Sequence, residues 1–550
     1  MLSTMSDFPL TIGSIFEHGV RVHAESEVAT WTDEGLKRTT FATISARVRR
    51  LANALTRLGI RQGDRVATLC WNTQEHLEAY YGVSAMGAVV HTLNLRLFPD
   101  QLSYIVNHGG SRILLVEACL LPQLVQIKDQ LKHVERIVMI GAHEDAPAEF
   151  LRYEDLLAAE SPAFEWPALD ERSAAVMCYT TGTTGEPKGV VYSHRSIYLH
   201  ALSVCAPWCT GISANDRSLM IVPMFHANAW GIPYSSWLAG GSLLLPGRFM
   251  QPEALCRMIA AYRPTLVCGV PTILSAMLRH ADANNVDLSF FRLVFSGGAA
   301  MPRSLAEAFQ SRFGVRVIQG WGLTETSPVA AVAHPPAHCP AEEEIEWTTK
   351  TGRIIPGVEL RICEGGRVLP WDGESVGEIE VRGPWITASY YGVDAPEKFH
   401  DGWLRTGDVG WVDEHGYIRI TDRSKDVIKS GGEWVSSVEL ENAIIDHPDV
   451  LEAAVIGVPD ARWDERPLAC VVPKNGDSVD IAALRAYLAT RVSRWWIPER
   501  WAFLREIPKT SVGKFDKKVL RAQYAGGQIA EVIYSEDRAE KPALTESPAR

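Results

Sequence analysis

The chain has no surplus of positive charge and no pattern among its cysteines. Its 54 lysines and arginines face 66 aspartates and glutamates, a formal net charge of -12. That balance disfavours nonspecific binding to nucleic acid or anionic membrane, although a local basic cleft is compatible with it. Ten cysteines are scattered without CxxC pairs or Cys/His metal spacing, so reduced thiols in a cytoplasmic protein are expected rather than a disulfide framework. The opening Met1-Leu2-Ser3-Thr4-Met5-Ser6-Asp7 has neither a basic n-region nor a long apolar run, and no export signal is expected. No apolar stretch approaches bilayer length. Internal repeats are missing, as are the G-x-S-x-G of serine hydrolases and the H-E-x-x-H of zinc proteases. What remains, at 550 residues, 46% hydrophobic and 22% charged, is the composition of a soluble globular enzyme of more than one domain.

Helical patterns alternate with short apolar strands. Residues 41–58 place Ile44, Val48, Leu51, Leu55 and Leu58 at helical spacing, and Arg65 to Cys70 reads as a buried strand. The rhythm returns at 113–116, 136–140, 265–268 and 292–295. Strands separated by helices imply an α/β fold of layered, largely parallel sheets covered by helices. From Gly352 to Ile420 short alternating strands and turns predict a small β-rich, antiparallel subdomain. A boundary is expected at Thr421 to Asp426, giving an N-terminal domain over 1–421, a hinge over 422–427 and a small mobile α+β C-terminal domain over 428–525. That last unit includes a strand at 453–458 and a helix at 481–492, and residues 526–550 read as a mobile tail.

The most informative segment is Thr180-Thr181-Gly182-Thr183-Thr184-Gly185-Glu186-Pro187-Lys188-Gly189, directly after the apolar run Ala174 to Tyr179. Glycines let backbone N–H groups approach phosphate oxygens, hydroxyls donate or meet a metal, and the lysine supplies charge. The common P-loop ends in Gly-Lys-Ser/Thr, whereas here Pro187 precedes Lys188 and Gly189 follows. A kinase or GTPase engine is therefore disfavoured. Four further clusters accompany this loop: Gln319-Gly320-Trp321-Gly322-Leu323-Thr324-Glu325-Thr326; Trp403 to Asp408; Asp422 to Glu433; and Pro508-Lys509-Thr510-Ser511-Val512-Gly513-Lys514. An aromatic flanked by glycines can lie on a base, Thr324 and Glu325 can serve a phosphate and Mg²⁺, and Asp408 can accept ribose hydroxyls.

In this order, over roughly residues 10–525, the set resembles the adenylate-forming superfamily of acyl-CoA synthetases, luciferases and peptide-synthetase adenylation domains. The resemblance implies a two-step reaction. A carboxylate attacks the α-phosphate of ATP to give acyl-AMP and pyrophosphate, and the thiol of coenzyme A then displaces AMP, with Mg²⁺ and lysine offsetting phosphoryl charge. It further implies that Thr180, Thr181, Gly182, Thr183, Thr184 and Lys188 hold the β- and γ-phosphates. Thr180 and Glu325 match Mg²⁺ positions, Thr324 the α-phosphate contact, and Trp321 the adenine-stacking position, where the family more often has Tyr. Gly298, Gln319 and Gly320 match the lining of the adenine and acyl pocket, and Asp408 and Arg423 the ribose pair. Lys514 matches the catalytic lysine and Lys425 the hinge, whose rotation carries Gly431, Gly432 and Glu433 to the pantetheine of coenzyme A.

The acid is read from Pro223 to Gly231. His226 matches the guard of the carboxylate, and Trp230 the gate tryptophan of bacterial long-chain fatty acyl-CoA synthetases. Trp434, Lys425 and Lys429 also match that subgroup, as does the N-terminal stretch through which its members form homodimers. Val270, Gly322 and Leu323 are expected to shape the tunnel. The resemblance thus implies a medium- to long-chain fatty acid, with a short thioether acid such as methylmercaptopropionate, or an aryl acid, as the alternative. An amino-acid-activating domain would want an acidic anchor, and none lies between Met224 and Ile232. A luciferase-like oxygenase shares every motif. A non-catalytic nucleotide-binding protein would have no need of Lys514.

Overall fold

A computed structural model of the chain describes residue 1 and residues 3–180, 186–430, 433–510 and 513–534. The helix expected at 41–58 forms as Phe41–Arg57; the Thr40 side chain caps it by accepting the Thr43 N–H at 3.3 Å. Ile44, Val48, Leu51 and Leu55 line its buried face, as helical periodicity requires. The strands Ser111–Glu117, Arg65–Leu69 and Arg136–Ile140 pair in parallel. Among the described residues this sheet has seven strands, and the antiparallel hairpin of Ala174–Thr180 with Lys188–Ser193 forms one edge.

The second sheet is parallel from Leu266–Gly269 through Leu293–Gly297 to Val317–Gly322. The β-rich stretch does not stand apart from it. Gly352–Ile354 pairs with Val329–Val332 on one side and Tyr417–Arg423 on the other, so among the described residues the antiparallel strands extend the same sheet to fifteen. A cushion of rings packs between the N-terminal helices and the strands. Trp237 is fully buried, stacked on Phe41 at 3.8 Å between centroids and on Phe16 at 5.7 Å, and its N–H donates to the Phe16 carbonyl at 3.1 Å.

Beyond Arg423 a third sheet begins at Ile428–Ser430 and is built around the hairpin of Val450–Asp460 with Asp464–Pro473. Two expectations need correction here. The helix at 481–492 ends at Leu488, where the Thr490 hydroxyl bonds the Tyr487 carbonyl at 3.1 Å and the chain turns; a short polar side chain that satisfies the backbone locally ends a helix. The tail does not begin at Gly526. Ile529 is buried, Val532–Ile533 pairs antiparallel with Arg500–Phe503, and Glu531 meets Arg500 at 3.0 Å. Among the described residues no helix is long and apolar enough to cross a membrane.

Trp237→Ala removes a ring with partners on both faces. The expected loss is about 3–5 kcal/mol, read as a lower denaturant midpoint of the large domain by circular dichroism. An unchanged midpoint would show that the ring cushion does not carry that energy.

Candidate active site

The chemistry-bearing loops leave the carboxyl ends of parallel strands, where α/β sheets gather ligands. Ser296 and Gly297 pair with Gln319 and Gly320, so two glycine-containing turns lie side by side. Close packing dictates those glycines. A Cβ on Gly320 would sit 2.2 Å from Phe295 Cζ, and one on Gly322 1.8 Å from the Pro328 carbonyl oxygen. Gly298 has φ +80°, and a Cβ there would lie 3.0 Å from Lys514 Cε. The C-terminal lysine therefore reaches into the N-terminal domain over a glycine. Its loop is held there by Thr272, whose hydroxyl donates to the Gly513 carbonyl at 3.0 Å, with Val270 packed beneath both Gly298 and Gly513.

Asp408 is 2% exposed and bonded from two sides. The Trp321 indole N–H donates to Oδ2 at 2.8 Å, and Arg423 Nε approaches Oδ1 at 2.6 Å. A carboxylate has about four acceptor positions, so two partners leave room for a ribose. Burial draws Lys514 down to about 8, helped by the Arg423 charge and opposed by Asp408 and Glu325. Burial, and then the Lys514 charge, lowers His226 to about 3; this imidazole is neutral at physiological pH. Lys514, His226, Asp408, Arg423 and Glu325 thus share one electrostatic environment.

On the phosphate side, Thr180 and Lys188 face each other across the hairpin. Thr181, Gly182, Thr183 and Thr184 lie outside the described residues, as do Gly431, Gly432 and the side chains of Glu433 and Trp434. Lys188 Nζ sits 5.0 Å from the Tyr390 ring centroid and 3.7 Å from Glu397. Tyr390 donates its hydroxyl to Glu325 Oε1 at 2.7 Å, and Tyr192 donates to the Thr324 carbonyl at 2.7 Å. Sequence reasoning missed Tyr390, Tyr192 and Glu397; no motif marks them, because their roles arise from contacts 65 and 132 residues away in sequence for the two tyrosines. The strand Ala174–Thr180 packs on the turn Thr324–Thr326, bringing a hydroxyl and a carboxylate to one side. Among the described residues no group of three His, Cys, Asp or Glu side chains could hold a metal unaided. That donor set fits Mg²⁺ carried by substrate phosphates and steadied by one carboxylate.

Gln319 Oε1 accepts the Met301 N–H at 2.6 Å, which ties the strand end to the Gly297–Met301 turn. The Leu323 N–H likewise donates to Thr326 Oγ1 at 2.7 Å. On the acyl side, Ala227, Asn228, Ala229 and Trp230 all have φ between 43° and 57°. Such a left-handed turn of non-glycine residues costs about 1–2 kcal/mol per residue and is held by its surroundings: Cys178 Sγ–H donates to Asn228 Oδ1 at 3.2 Å, and Gly231 lies against His200. The Trp230 ring rests over Gly297 and edge-on to Phe295, at 6.2 Å and 69°. Beside it Val204, Cys209, Thr210, Ile232, Cys268, Phe295 and Val329 line a narrow crevice whose packed walls leave no space for a water molecule. Lys425 is exposed in the link between the sheets, and Lys429 lies on Ile428–Ser430, its N–H donating to Glu465 at 3.1 Å.

A family model described as AMP-binding enzyme matches residues 16–391, and one described as AMP-binding enzyme C-terminal domain matches residues 439–514. The chain is 43% identical over 533 residues to the 3-methylmercaptopropionyl-CoA ligase of Ruegeria pomeroyi, covering 95% of this chain and 99% of the relative. It is 44% identical over 530 residues to the long-chain-fatty-acid–CoA ligase of Thermus thermophilus, covering 95% and 97%. An anthranilate CoA ligase solved with anthranoyl-AMP superimposes with a TM-score of 0.86 at 28% identity, over 95% of this chain and 100% of that one. The chain belongs to the AMP-binding enzyme family. Within it, the chain is an AMP-forming acyl-CoA ligase that uses ATP, Mg²⁺ and CoA.

Two measurements follow from this geometry. As pH rises through about 8, Lys514 loses its proton, so kcat/KM for ATP in acyl-AMP formation should fall there, since that parameter reports the free enzyme. Lys514→Arg keeps the charge and should abolish the falling limb; the same limb in the variant would assign it to another group. Trp321→Phe keeps the ring face and loses the N–H to Asp408. The expected rise in KM for ATP is roughly ten-fold, the lower end for a hydrogen bond to a charged group, with weaker discrimination against 2′-deoxy-ATP. Unchanged discrimination would show that the indole does not orient the carboxylate.

Proposed function

We propose that this ligase acts on medium- to long-chain fatty acids. The observation that carries the reading is Trp230, set on a left-handed turn against a narrow, tightly packed apolar crevice. A bulky ring held on a strained segment is suited to move, and movement would open the crevice to an alkyl chain. The long-chain relative at 44% identity supports it. A second reading is a short thioether acid: the two thiols of Cys209 and Cys268 lining the crevice, and the 3-methylmercaptopropionyl-CoA ligase at 43% identity, favour it.

In this scheme Lys514 bridges the acyl carboxylate and the α-phosphate, and Thr324 contacts the latter. Neutral His226 lies beside them without adding charge. Thr180 to Thr184 and Lys188 hold the β- and γ-phosphates. Thr180 and Glu325 would hold Mg²⁺, which supplies charge neutralisation to the phosphates. Gly298, Gly320 and Trp321 form the adenine slot, with Asp408 and Arg423 on the ribose. After pyrophosphate leaves, rotation at Lys425 withdraws Lys514 and brings Gly431, Gly432, Glu433, Trp434 and Lys429 to CoA. We assign the protein to the cytoplasm, where ten unpaired cysteines stay reduced, and to a homodimer through the N-terminal stretch, whose Phe8 and Val22 are exposed.

The test is CoA- and ATP-dependent release of AMP and pyrophosphate with propionate, methylmercaptopropionate, octanoate, palmitate and cinnamate, for the wild type and Trp230→Ala. A maximum at octanoate or palmitate, with the variant's chain-length preference broadened, is expected. A maximum at methylmercaptopropionate or cinnamate, or a profile unmoved by the variant, overturns the substrate assignment.

A further inference from the structure

The bonds joining the small domain to the large one sort by which side of Lys425 their partners lie on. Asp422 belongs to the large sheet, because Tyr417–Arg423 is laddered to Trp403–Val412 with Asp422 opposite Val409. Its carboxylate is 2% exposed and points away from that sheet. Oδ2 accepts both the backbone N–H of Ser437, at 3.1 Å, and the Ser437 hydroxyl. Ser437 is itself fully buried and opens the helix Ser437–Ile445 of the small domain, so the carboxylate meets the positive end of that helix. Lys517 donates to the same Ser437 hydroxyl and pairs with Glu441 at 2.8 Å. A hydroxyl can accept from Lys517 while it donates to Asp422, making an ammonium–hydroxyl–carboxylate chain across the domain boundary. Lys517 starts the helix Lys517–Ala525, three residues after Lys514.

The neighbouring ion pairs behave differently. Arg423 and Asp408 both lie on strands of the large sheet, and Asp426 and Arg521, at 2.7 Å, both lie beyond Lys425. Neither pair feels a rotation at Lys425. Arg419–Glu439 does cross the boundary, at 3.0 Å, but Arg419 is 46% exposed and such a pair contributes little. The Asp422 chain is buried and charge-assisted, and because Asp422 precedes Lys425 while Ser437 and Lys517 follow it, a rotation at Lys425 would pull the chain apart.

We propose that Asp422, acting through Ser437 and Lys517, latches the acyl-AMP-forming arrangement and must let go before the thioester step. The proposal rests on the two-orientation reading given under the proposed function. It makes Asp422, Ser437 and Lys517 positioning residues that set the balance between the half-reactions without touching substrate.

The test separates those half-reactions in single turnovers: octanoyl-AMP formation without CoA, and octanoyl-CoA formation from supplied octanoyl-AMP. Asp422→Asn should raise the ratio of the second rate to the first at least ten-fold over wild type, equivalent to about 1.4 kcal/mol. Ser437→Ala, which keeps the backbone N–H, should raise it less, and Asp422→Glu should return it towards wild type. Trypsin should also cut at Arg423 and Lys425 faster in Asp422→Asn. A ratio that does not move, or two rates that fall together, overturns the latch while leaving the ligase reading intact. A wild type that makes no thioester from any acid overturns the ligase reading and the latch with it.

Discussion

One desolvated ammonium organises the molecule. Lys514 sits on the small domain, yet its charge is balanced by Asp408 and Glu325 of the large one and opposed by Arg423. Bringing it there requires a glycine at 298, a clasp of the Gly513 carbonyl by Thr272 and a link between the sheets that sets the small domain over the large one. Each is a backbone or packing condition that a side-chain motif alone does not supply. The Asp408 carboxylate is bound to the same demand, since it must satisfy Trp321 and Arg423 while lying in the field of the lysine. The site is therefore as much a junction between two folded units as a pocket in one of them.

The continuous fifteen-strand sheet explains how that junction keeps its geometry. The glycine turns at 297 and 320 come from its parallel half, and Asp408 and Arg423 from its antiparallel half. Hydrogen-bonded ladders run between them, so both sets of residues belong to one continuous sheet. The Thr180–Lys188 hairpin belongs to the other sheet instead, and meets the rest where Tyr391 bridges to Gly189 and Tyr390 reaches Glu325.

The parallel sheets were legible because buried strands of valine, leucine and isoleucine alternate with amphipathic helices such as Phe41–Arg57. The glycine-rich turns were legible because few other sequences tolerate that backbone. The continuity of the antiparallel strands with the main sheet was not, since pairing partners such as Gly352 and Ile418 lie far apart in sequence. For the same reason Tyr390, Tyr192 and Ser437 carry no local signature; each acts on a group brought in from another element. The early end of the helix at Leu488 and the ordered Val532–Ile533 strand were decided by one hydroxyl and one ion pair, both beyond the reach of periodicity.

The thiols behind Trp230 have a consequence for self-inflicted chemistry. An acyl-adenylate is an acylating agent, and any thiolate within reach would compete with CoA for the acyl group. Burial raises Cys209 to about 12 and pushes Cys268 up further, so both stay protonated and poorly nucleophilic. The crevice can thus use sulfur for its polarisable, apolar contact while the enzyme is spared from acylating its own wall.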